Sequence, residues 1–521
     1  MRLNGSTARA ADRGANRMDY VREILNARVY DVATRTPLNA MVRLGARLGR
    51  NVLLKREDLQ PIFSFKIRGA YNKIARLSED GRRAGVVCAS AGNHGQGVAL
   101  AGRRLGVEAL IVMPVTTPLI KIDAVRHLGG EVLLHGDTFD DAYAFARSVG
   151  AERGMTFIHP YDDPDVIAGQ GTIGVEILQD HPGPIEALFV PIGGGGLAAG
   201  VASYVKYLRP DIKVIGVEPT DAASMKAALE AGRRVVLPRV GLFADGVAVR
   251  QAGEETFRLC RDLLDEVLTA DTDAMCAAVK DIFEDTRVLA EPAGALSLAG
   301  LKAYAARGGA QRGALVAINS GANMNFDRLR HVAERAEVGE TREILLAVTI
   351  PEQRGSYRRF IEMIGGRVIT EFNYRYAGSA AAHVFVGLKL LDATREKPEL
   401  IASLEAAGYL VLDISADETA KLHIRYMVGG RSHGIADEVV LRFEFPERPG
   451  ALLGFLDAVG TDWNITLFHY RNHGADYGRV LVGLQVPPPD RARLEEKITA
   501  LGYPYEDETR NKAYEMFLSA A

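Results

Sequence analysis

Between residues 52 and 319, short apolar runs alternate with segments of helical periodicity. Helices are predicted over 95–105, 119–128 and 197–208. This alternation indicates a parallel sheet covered on both faces, with ligands bound at the carboxyl ends of its strands. The runs that predict buried strands are VVCAS (86–90), ALIVMP (109–114), EVLLHG (131–136), ALFVPIGGGG (187–196), KVIGVEP (213–219) and ALVAINSG (314–321).

After about residue 342 the pattern changes to an internal repeat. The order within each copy is strand, helix, strand, strand, helix, strand, which predicts two ferredoxin-like α+β modules lying side by side. The matching pairs are PEQRGSYRRFIEMIG (351–365) with PERPGALLGFLDAVG (446–460), ITEFNYR (369–375) with ITLFHYR (465–471), VFVGL (384–388) with VLVGL (480–484), and AGYL (407–410) with LGYP (501–504).

A chain of 521 residues predicts roughly three domains. We expect an α/β domain with two subdomains over 19–335, and modules over 342–415 and 437–508. The Arg-rich segment 1–18 lacks the apolar core of a secretory signal. It is expected to be an unstructured tail, or to precede a true start at Met18, with a short transit peptide as the alternative.

Charge and cysteine usage exclude several classes of function. The chain has 63 basic and 66 acidic side chains, a balance that argues against a nucleic-acid or membrane-surface partner. Cys88, Cys260 and Cys276 show no metal-ligand spacing and no disulfide framework. A reducing cytoplasm and a buried Cys88 are therefore expected, with no metal site.

Lys66 lies in KREDLQPIFSFKIRGA (55–70) and is predicted to start a helix capped by Ser64. The flanking Phe65 and Ile67 favour a semi-buried amine that can lose its proton and form a Schiff base. A solvated surface lysine is the alternative.

The segment SAGNHGQG (90–97) follows a predicted strand and is rich in small residues. Its backbone amides can form a nest for a substrate carboxylate, and Asn93 can donate a hydrogen bond to a cofactor ring oxygen. The alternative is a tight strand-to-helix turn, with Asn93 as a cap and His94 as a packed side chain.

Two further motifs follow strands. GGGGLAAG (193–200) can wrap a phosphate at a helix N-terminus, although it has neither a dinucleotide fingerprint nor a GK[ST] sequence. In NSGANMNF (319–326), Ser320 can face the nitrogen of a heterocyclic cofactor. A flexible loop and a turn serine are the alternatives. We expect the four motifs to converge on one edge of one sheet, where they supply the contacts that pyridoxal phosphate needs.

These motifs carry a family resemblance. The first domain resembles the fold-type II pyridoxal phosphate enzymes, the tryptophan synthase β-like group, and from about residue 19 onward the chain resembles the biosynthetic threonine dehydratases. The matching segments are KREDLQPIFSFKIRGAY, SAGNHGQGVA, VIAGQGTIGVEI, PIGGGGLAAGV, LPRVGLFADGVAV, EPAGALSLAG, NSGANMNF, FEFPERPGALL and WNITLFHYRNHGADYGRVLVG.

The resemblance implies a role for each site residue. Lys66 would bind the cofactor covalently and act as catalytic base, Asn93 would bind the cofactor's 3-oxygen, and Ser320 would face its ring nitrogen. Backbone amides of Gly193, Gly194, Gly195, Gly196 and Leu197 would hold the phosphate. The substrate carboxylate would bind the loop of Ser90, Ala91, Gly92, Asn93 and His94. Core or surface roles are expected for His159, Glu291 and Asp327.

The resemblance also implies an activity and its regulation. L-threonine, with L-serine as a second substrate, would be dehydrated and deaminated, giving 2-oxobutanoate and ammonia from threonine in the first step of isoleucine biosynthesis. The paired modules resemble ACT-like regulatory domains that bind isoleucine as inhibitor and valine as opposing effector, in a cytoplasmic homotetramer. The alternatives are a serine or catabolic threonine dehydratase, a β-replacement enzyme, and a non-catalytic amino-acid sensor.

Overall fold

The computed structural model forms two compact units, Met1–Ala336 and Glu337–Ala521, each described here by itself. It describes residues 19–309, 312–326, 328–339, 343–353, 355–375, 381–390, 393–417, 420–421, 424, 435–446, 451–459, 462–471, 477–511, 514 and 518. The predicted N-terminal tail and Asp327 lie outside these residues.

The first unit is an α/β structure with ten strands. The strands are β1 (Leu38–Ala40), β2 (Val52–Arg56), β3 (Val86–Ala89), β4 (Ala109–Met113), β5 (Glu131–Leu134), β6 (Thr156–Phe157), β7 (Ile185–Pro191), β8 (Lys213–Pro219), β9 (Glu266–Ala270) and β10 (Ala314–Asn319). The helices are α1 (Tyr20–Leu25), α2 (Val42–Leu48), α3 (Lys66–Ala75), α4 (Glu79–Ala84), α5 (Asn93–Leu105), α6 (Leu119–His127), α7 (Phe139–Arg153), α8 (Pro164–Asp180), α9 (Gly196–Leu208), α10 (Ser224–Ala231), α11 (Glu254–Leu263), α12 (Thr272–Thr286), α13 (Pro292–Ala306) and α14 (Arg328–Gly339), which crosses the unit boundary.

These strands form two sheets rather than one. The larger has the order β1-β2-β10-β7-β8-β9, parallel except for β1 at its edge, and the smaller is the parallel sheet β5-β4-β3-β6. The expectation that all four motifs meet at one edge of one sheet is therefore wrong, because β3 belongs to the smaller sheet. Apolar runs of similar length look alike in sequence whichever sheet they join.

Burial agrees with the strand predictions except at β5. Every residue of β3, β4 and β10 is buried, as expected for strands covered on both faces. Both ends of β5 are exposed, because this strand lies at the sheet edge, so the prediction of a buried strand there is wrong. All three cysteines, including Cys88, are buried and free.

The second unit contains one eight-stranded antiparallel sheet, of order β14-β11-β13-β12-β16-β17-β15-β18. Each half has the ferredoxin-like order, and β12 pairs with β16 to join them, which confirms the side-by-side prediction. The strands are β11 (Glu343–Pro351), β12 (Ile369–Arg375), β13 (Ala381–Lys389), β14 (Leu410–Asp413), β15 (Glu438–Pro446), β16 (Asn464–Arg471), β17 (Tyr477–Gln485) and β18 (Tyr505–Asp507). The helices are α15 (Ser356–Ile364), α16 (Ala393–Ala406), α17 (Ala451–Val459) and α18 (Arg491–Leu501).

The repeated glycine of VFVGL and VLVGL has a packing reason. A β-bulge in β12 turns the Thr370 hydroxyl onto Gly387 of β13, where an added Cβ would lie 2.3 Å from it. In the second copy, a Cβ on Gly483 would lie 2.7 Å from the Thr466 hydroxyl, which also follows a bulge. Glycine at this position therefore leaves room for a threonine that folds back across the strand pair.

Candidate active site

Lys66 is the first residue of α3, and its amine is buried inside the first unit. Nζ donates a hydrogen bond to Pro160 O at 3.0 Å. Burial lowers the pKa of this amine to about 8, although the carboxylate of Glu291 partly offsets the effect. The alternative of a solvated surface lysine is therefore excluded.

Ser64 is not the N-cap of this helix. Phe65 occupies the cap position without a side-chain cap bond. Ser64 instead forms a β-bridge with Gly321 and donates its hydroxyl to Ser320 O at 3.3 Å. The predicted cap is therefore wrong by one residue, although Ser64 Oγ accepts a long hydrogen bond of 3.5 Å from Lys66 N at the start of the helix.

Ser320 follows β10 and lies beside the lysine-bearing helix. Phe65 N donates to Ser320 O at 3.2 Å, which places the backbone of Ser320 next to Lys66. The Ser320 hydroxyl is buried and donates to Ala293 O at 3.3 Å.

The glycine loop connects β7 to α9 and packs against Tyr161. A Cβ on Gly194 would lie 2.2 Å from the Tyr161 ring, and one on Gly196 would lie 2.9 Å from Tyr161 O. Gly195 has φ +98°, which strains any other residue. Tyr161 directly follows Pro160, whose carbonyl oxygen accepts the hydrogen bond from the Lys66 amine. The residue that packs against the glycine loop is therefore the chain neighbour of the residue that binds Lys66.

The end of this loop is suited to an anion. The helix α9 begins at Gly196, and the first amides of a helix have no partner within it. These amides and the helix dipole favour a negatively charged group. Cβ atoms on Gly193–Gly196 would collide with Val247, Tyr161 and Thr256, so glycine is required for the loop to take this conformation at the helix N-terminus.

The Ser90–His94 loop lies between β3 and α5. Ser90 N donates to Val112 O at 3.0 Å, and Gly92 N donates to Ser90 Oγ at 3.2 Å. These bonds use two of the loop amides and leave those of Ala91, Asn93 and His94 as candidates for a carboxylate. Burial, followed by the charge of Lys66, lowers the pKa of His94 to about 3, so its ring is neutral and Nε2 donates to Ile158 O at 2.9 Å.

Asn93 is the first residue of α5, with Gly92 at the cap position, so the alternative of an Asn93 cap is wrong. Its Oδ1 accepts from Asn323 Nδ2 at 2.7 Å, and its Nδ2 donates to Glu291 Oε1 at 2.7 Å. Sequence reasoning assigned Glu291 a core or surface role. The sequence feature that could have indicated this contact is the position of Glu291, directly before the apolar helix that begins at Pro292.

His159 fits its expected structural role. Its Nδ1 accepts from Tyr161 N at 3.3 Å and from Asp162 N at 2.8 Å, which shapes the turn after Pro160. Burial lowers the pKa of His159 to about 4.

The residues in this region fit pyridoxal phosphate. An amine of lowered pKa suits its aldehyde, the glycine loop at a helix N-terminus suits its phosphate, and the side chains of Asn93 and Ser320 offer polar groups for its ring. Over the described part of the chain, no three His, Cys, Asp or Glu side chains cluster as metal ligands do. Nor is any described helix long and apolar enough to cross a membrane.

Comparison with known families agrees with this fit. The model of the pyridoxal-phosphate dependent enzymes matches residues 29–321. The model of the C-terminal regulatory domain of threonine dehydratase matches twice, over 334–424 and 429–518. The first unit is therefore that of a pyridoxal-phosphate dependent enzyme, with two regulatory domains after it.

Relatives are similar along nearly the whole chain. The biosynthetic L-threonine dehydratase of Burkholderia multivorans is 60% identical over 504 residues, 96% of this chain and 99% of that one. The biosynthetic enzyme of Escherichia coli is 54% identical over 503 residues, 96% and 97% of the two chains. The chain therefore belongs to the biosynthetic threonine dehydratase family, which confirms the predicted resemblance, fold class and cofactor.

Solved structures are similar over about three fifths of the chain. The processed form of threonine deaminase isoform 2 from Solanum lycopersicum is 50% identical with a TM-score of 0.60, covering 61% of this chain and 88% of that one. Maize serine racemase is 33% identical with a TM-score of 0.57, covering 61% and 97%.

Proposed function

We propose that this chain converts L-threonine into 2-oxobutanoate and ammonia, with Lys66 Nζ as the catalytic base. The observation that carries the proposal is the Lys66 amine, whose pKa is lowered to about 8. It donates to Pro160 O, and the next residue, Tyr161, packs against the glycine loop at the start of α9. An amine of this kind is neutral in an appreciable fraction at neutral pH and can accept a proton.

Backbone amides of five consecutive residues would bind the phosphate of the cofactor: Gly193, Gly194, Gly195, Gly196 and Leu197. Asn93 would donate to its ring oxygen and Ser320 would face its ring nitrogen. When bound, pyridoxal phosphate supplies an aldehyde that captures the substrate amine and a ring that makes the α-hydrogen more acidic.

The protein's own groups then act on the substrate. Ala91, Asn93 and His94 would donate their amides to the carboxylate and orient the α-hydrogen toward Lys66 Nζ, which accepts it. The β-hydroxyl would take up a proton from Lys66 Nζ, which has accepted one from the α-carbon, and would leave as water. Hydrolysis of the remaining enamine would give 2-oxobutanoate and ammonia.

The experiment measures 2-oxo acid release from L-threonine and from L-serine with added cofactor, in the wild type and in Lys66→Ala. We expect turnover of threonine, with activity and the cofactor absorption band lost in the variant. A bound cofactor without turnover of either substrate would support a β-replacement enzyme or a sensor instead.

We further propose that isoleucine inhibits the enzyme by binding a pocket in the second unit, and that valine opposes this inhibition at the same pocket. The pocket combines a carboxylate, a helix N-terminus and an apolar wall, which together suit the ammonium, carboxylate and side chain of an aliphatic amino acid. Glu352 accepts from the Tyr374 hydroxyl at 2.9 Å, and α15 begins beside it at Ser356. The apolar wall is Ile350, Leu456, Trp463 and Ile465.

Variants of this pocket test the regulatory proposal. Glu352→Gln should raise the isoleucine concentration for half-inhibition at least about 10-fold, the loss of one charge-assisted contact. The matched control is Glu399→Gln, an exposed carboxylate that pairs with Arg395. Unchanged inhibition in Glu352→Gln would place the effector elsewhere.

We also propose that the chain forms a homotetramer and that it divides into three domains. Elements of the second unit start at Glu343 and Glu438 and end at Asp413 and Asp507, which supports modules over 342–415 and 437–508 after a catalytic domain over 19–335. The homotetramer is supported by the resemblance to the family, and sedimentation at several protein concentrations tests it.

A further inference from the structure

The side-chain amide of Asn93 is held from both ends. Asn323 Nδ2 donates to its oxygen, and its nitrogen donates to Glu291, each at 2.7 Å. An amide held in this way cannot rotate by half a turn without losing both bonds. One hydrogen on Nδ2 is used by Glu291, and the other is left with a fixed direction.

The groups that hold Asn93 are themselves fixed. Asn323 Nδ2 also donates to Ile62 O at 2.7 Å, and Glu291 N donates to Gly321 O at 3.1 Å. A Cβ on Gly321 would lie 2.6 Å from Glu291 Oε1, so the backbone closes tightly on the carboxyl group. Asn93 follows the smaller sheet, whereas these groups belong to segments beside the larger one.

We propose that Glu291, together with Asn323, is a positioning residue that presents the second Nδ2 hydrogen of Asn93 to the ring oxygen of the cofactor, and that the charge of Glu291 influences the ionisation of that oxygen. The inference rests on the proposed function, which assigns Asn93 to the ring oxygen. It gives a role to a buried carboxyl group that the proton transfer at Lys66 does not use.

Several charges face Glu291 and bear on its ionisation. Burial, followed by the nearby carboxylate of Asp245, raises its pKa to about 7. Lys121, which pairs with Asp245 at 2.7 Å, and Lys66 bring positive charge from α6 and α3. The charge on Glu291 therefore changes near neutral pH, and its effect on the ring oxygen changes with it.

The test compares Glu291→Ala, Glu291→Gln and Asn323→Ala with the wild type. Cofactor-free enzyme is titrated with pyridoxal phosphate to obtain Kd, and the absorption band of the loaded enzyme is followed from pH 6 to 9. The matched control is Asp281→Asn, which removes a buried carboxylate that contacts Arg47 and Lys302 instead of the site.

We expect Glu291→Ala to raise Kd at least about 10-fold, as for the loss of one charge-assisted hydrogen bond. Glu291→Gln keeps an acceptor, so its Kd should stay within about 3-fold while the pH midpoint of the band moves. The control should change neither property. Asn323→Ala should also raise Kd, which keeps the test decisive if Glu291→Ala does not fold.

A wild-type pH midpoint of the band in Glu291→Gln, together with a wild-type Kd in Asn323→Ala, would overturn the inference. Equal loss of affinity in Glu291→Gln and Glu291→Ala would also overturn it, because rescue by the amide is expected of a positioning acceptor. A band that survives Lys66→Ala would instead contradict the proposed function, so the two failures are distinguishable.

Discussion

Glu176 neutralises two buried cations in the first unit, and its removal should destabilise that unit strongly. Its carboxylate lies 2.6 Å from Lys55 Nζ and 2.6 Å from Arg68 Nη1, and all three side chains are at most 1% exposed. Arg68 also pairs with Glu57 at 2.8 Å. The network connects β2, α3 and α8. Its member on α3, Arg68, lies two residues after Lys66.

The Glu176→Ala variant leaves Lys55 and Arg68 short of one negative charge. Breaking a buried pair in this way costs about 3–5 kcal/mol. With an unfolding entropy of about 2.1 cal/mol/K per residue over roughly 300 residues, this corresponds to a fall in Tm of about 5–8 °C. The assay is thermal unfolding of the cofactor-free enzyme followed by circular dichroism, because bound cofactor would add its own stabilisation.

The dependence on pH gives a second check. Burial opposes the charge of Glu176, but Arg68 and Lys55 outweigh it and hold the pKa of the carboxyl below its ordinary value. The stabilisation is therefore present above the unfolded value of about 4.3 and is lost as the pH falls below it through the folded pKa. The control Asp123→Ala removes an exposed partner of Arg126 and should shift Tm by about 1 °C or less. A fall of less than about 2 °C in Glu176→Ala would refute the reasoning.

Three further predictions concern the site. The rate at which cofactor-free enzyme takes up the cofactor, followed by absorbance after mixing, should rise with pH up to about 8 and then level off. The reason is that burial lowers the pKa of Lys66 to about 8 and only the neutral amine reacts. A rate that continues to rise toward pH 10 would contradict this. Gly194→Ala should weaken cofactor binding at least about 10-fold in an equilibrium titration, since the new Cβ would meet Tyr161 at 2.2 Å, whereas Gly366→Ala, with open space around it, should bind normally. Ser320→Asp should slow 2-oxobutanoate release and increase racemisation of the substrate, because an aspartate, unlike a serine, would keep the ring nitrogen of the cofactor protonated. An unchanged turnover rate and an unchanged ratio of elimination to racemisation would argue against this role.

Local patterns predicted most of the elements correctly. Fully apolar runs such as those of β3 and β4 are buried on both faces, and the repeat correctly indicated two ferredoxin-like halves. The four glycines from Gly193 do lead into a helix, of which Gly196 is the first residue, because their lack of side chains is the local property that the turn requires.

The errors arose where distant contacts decide the structure. The assignment of β3 to a second sheet and the exposure of β5 depend on strand pairing that an apolar run does not encode. Ser64 lost its predicted capping role to a bridge with Gly321. Glu291 is buried, which agrees with the expected core role, but its contact with Asn93 joins residues far apart in the chain and could not be predicted.

The most direct test of the account is to locate the covalently bound cofactor. Borohydride reduction of the loaded enzyme, followed by proteolysis and mass spectrometry, should place the modification on Lys66, the buried amine with the lowered pKa. Modification of a different lysine, or a loaded and active enzyme without modification at Lys66, would contradict the central claim.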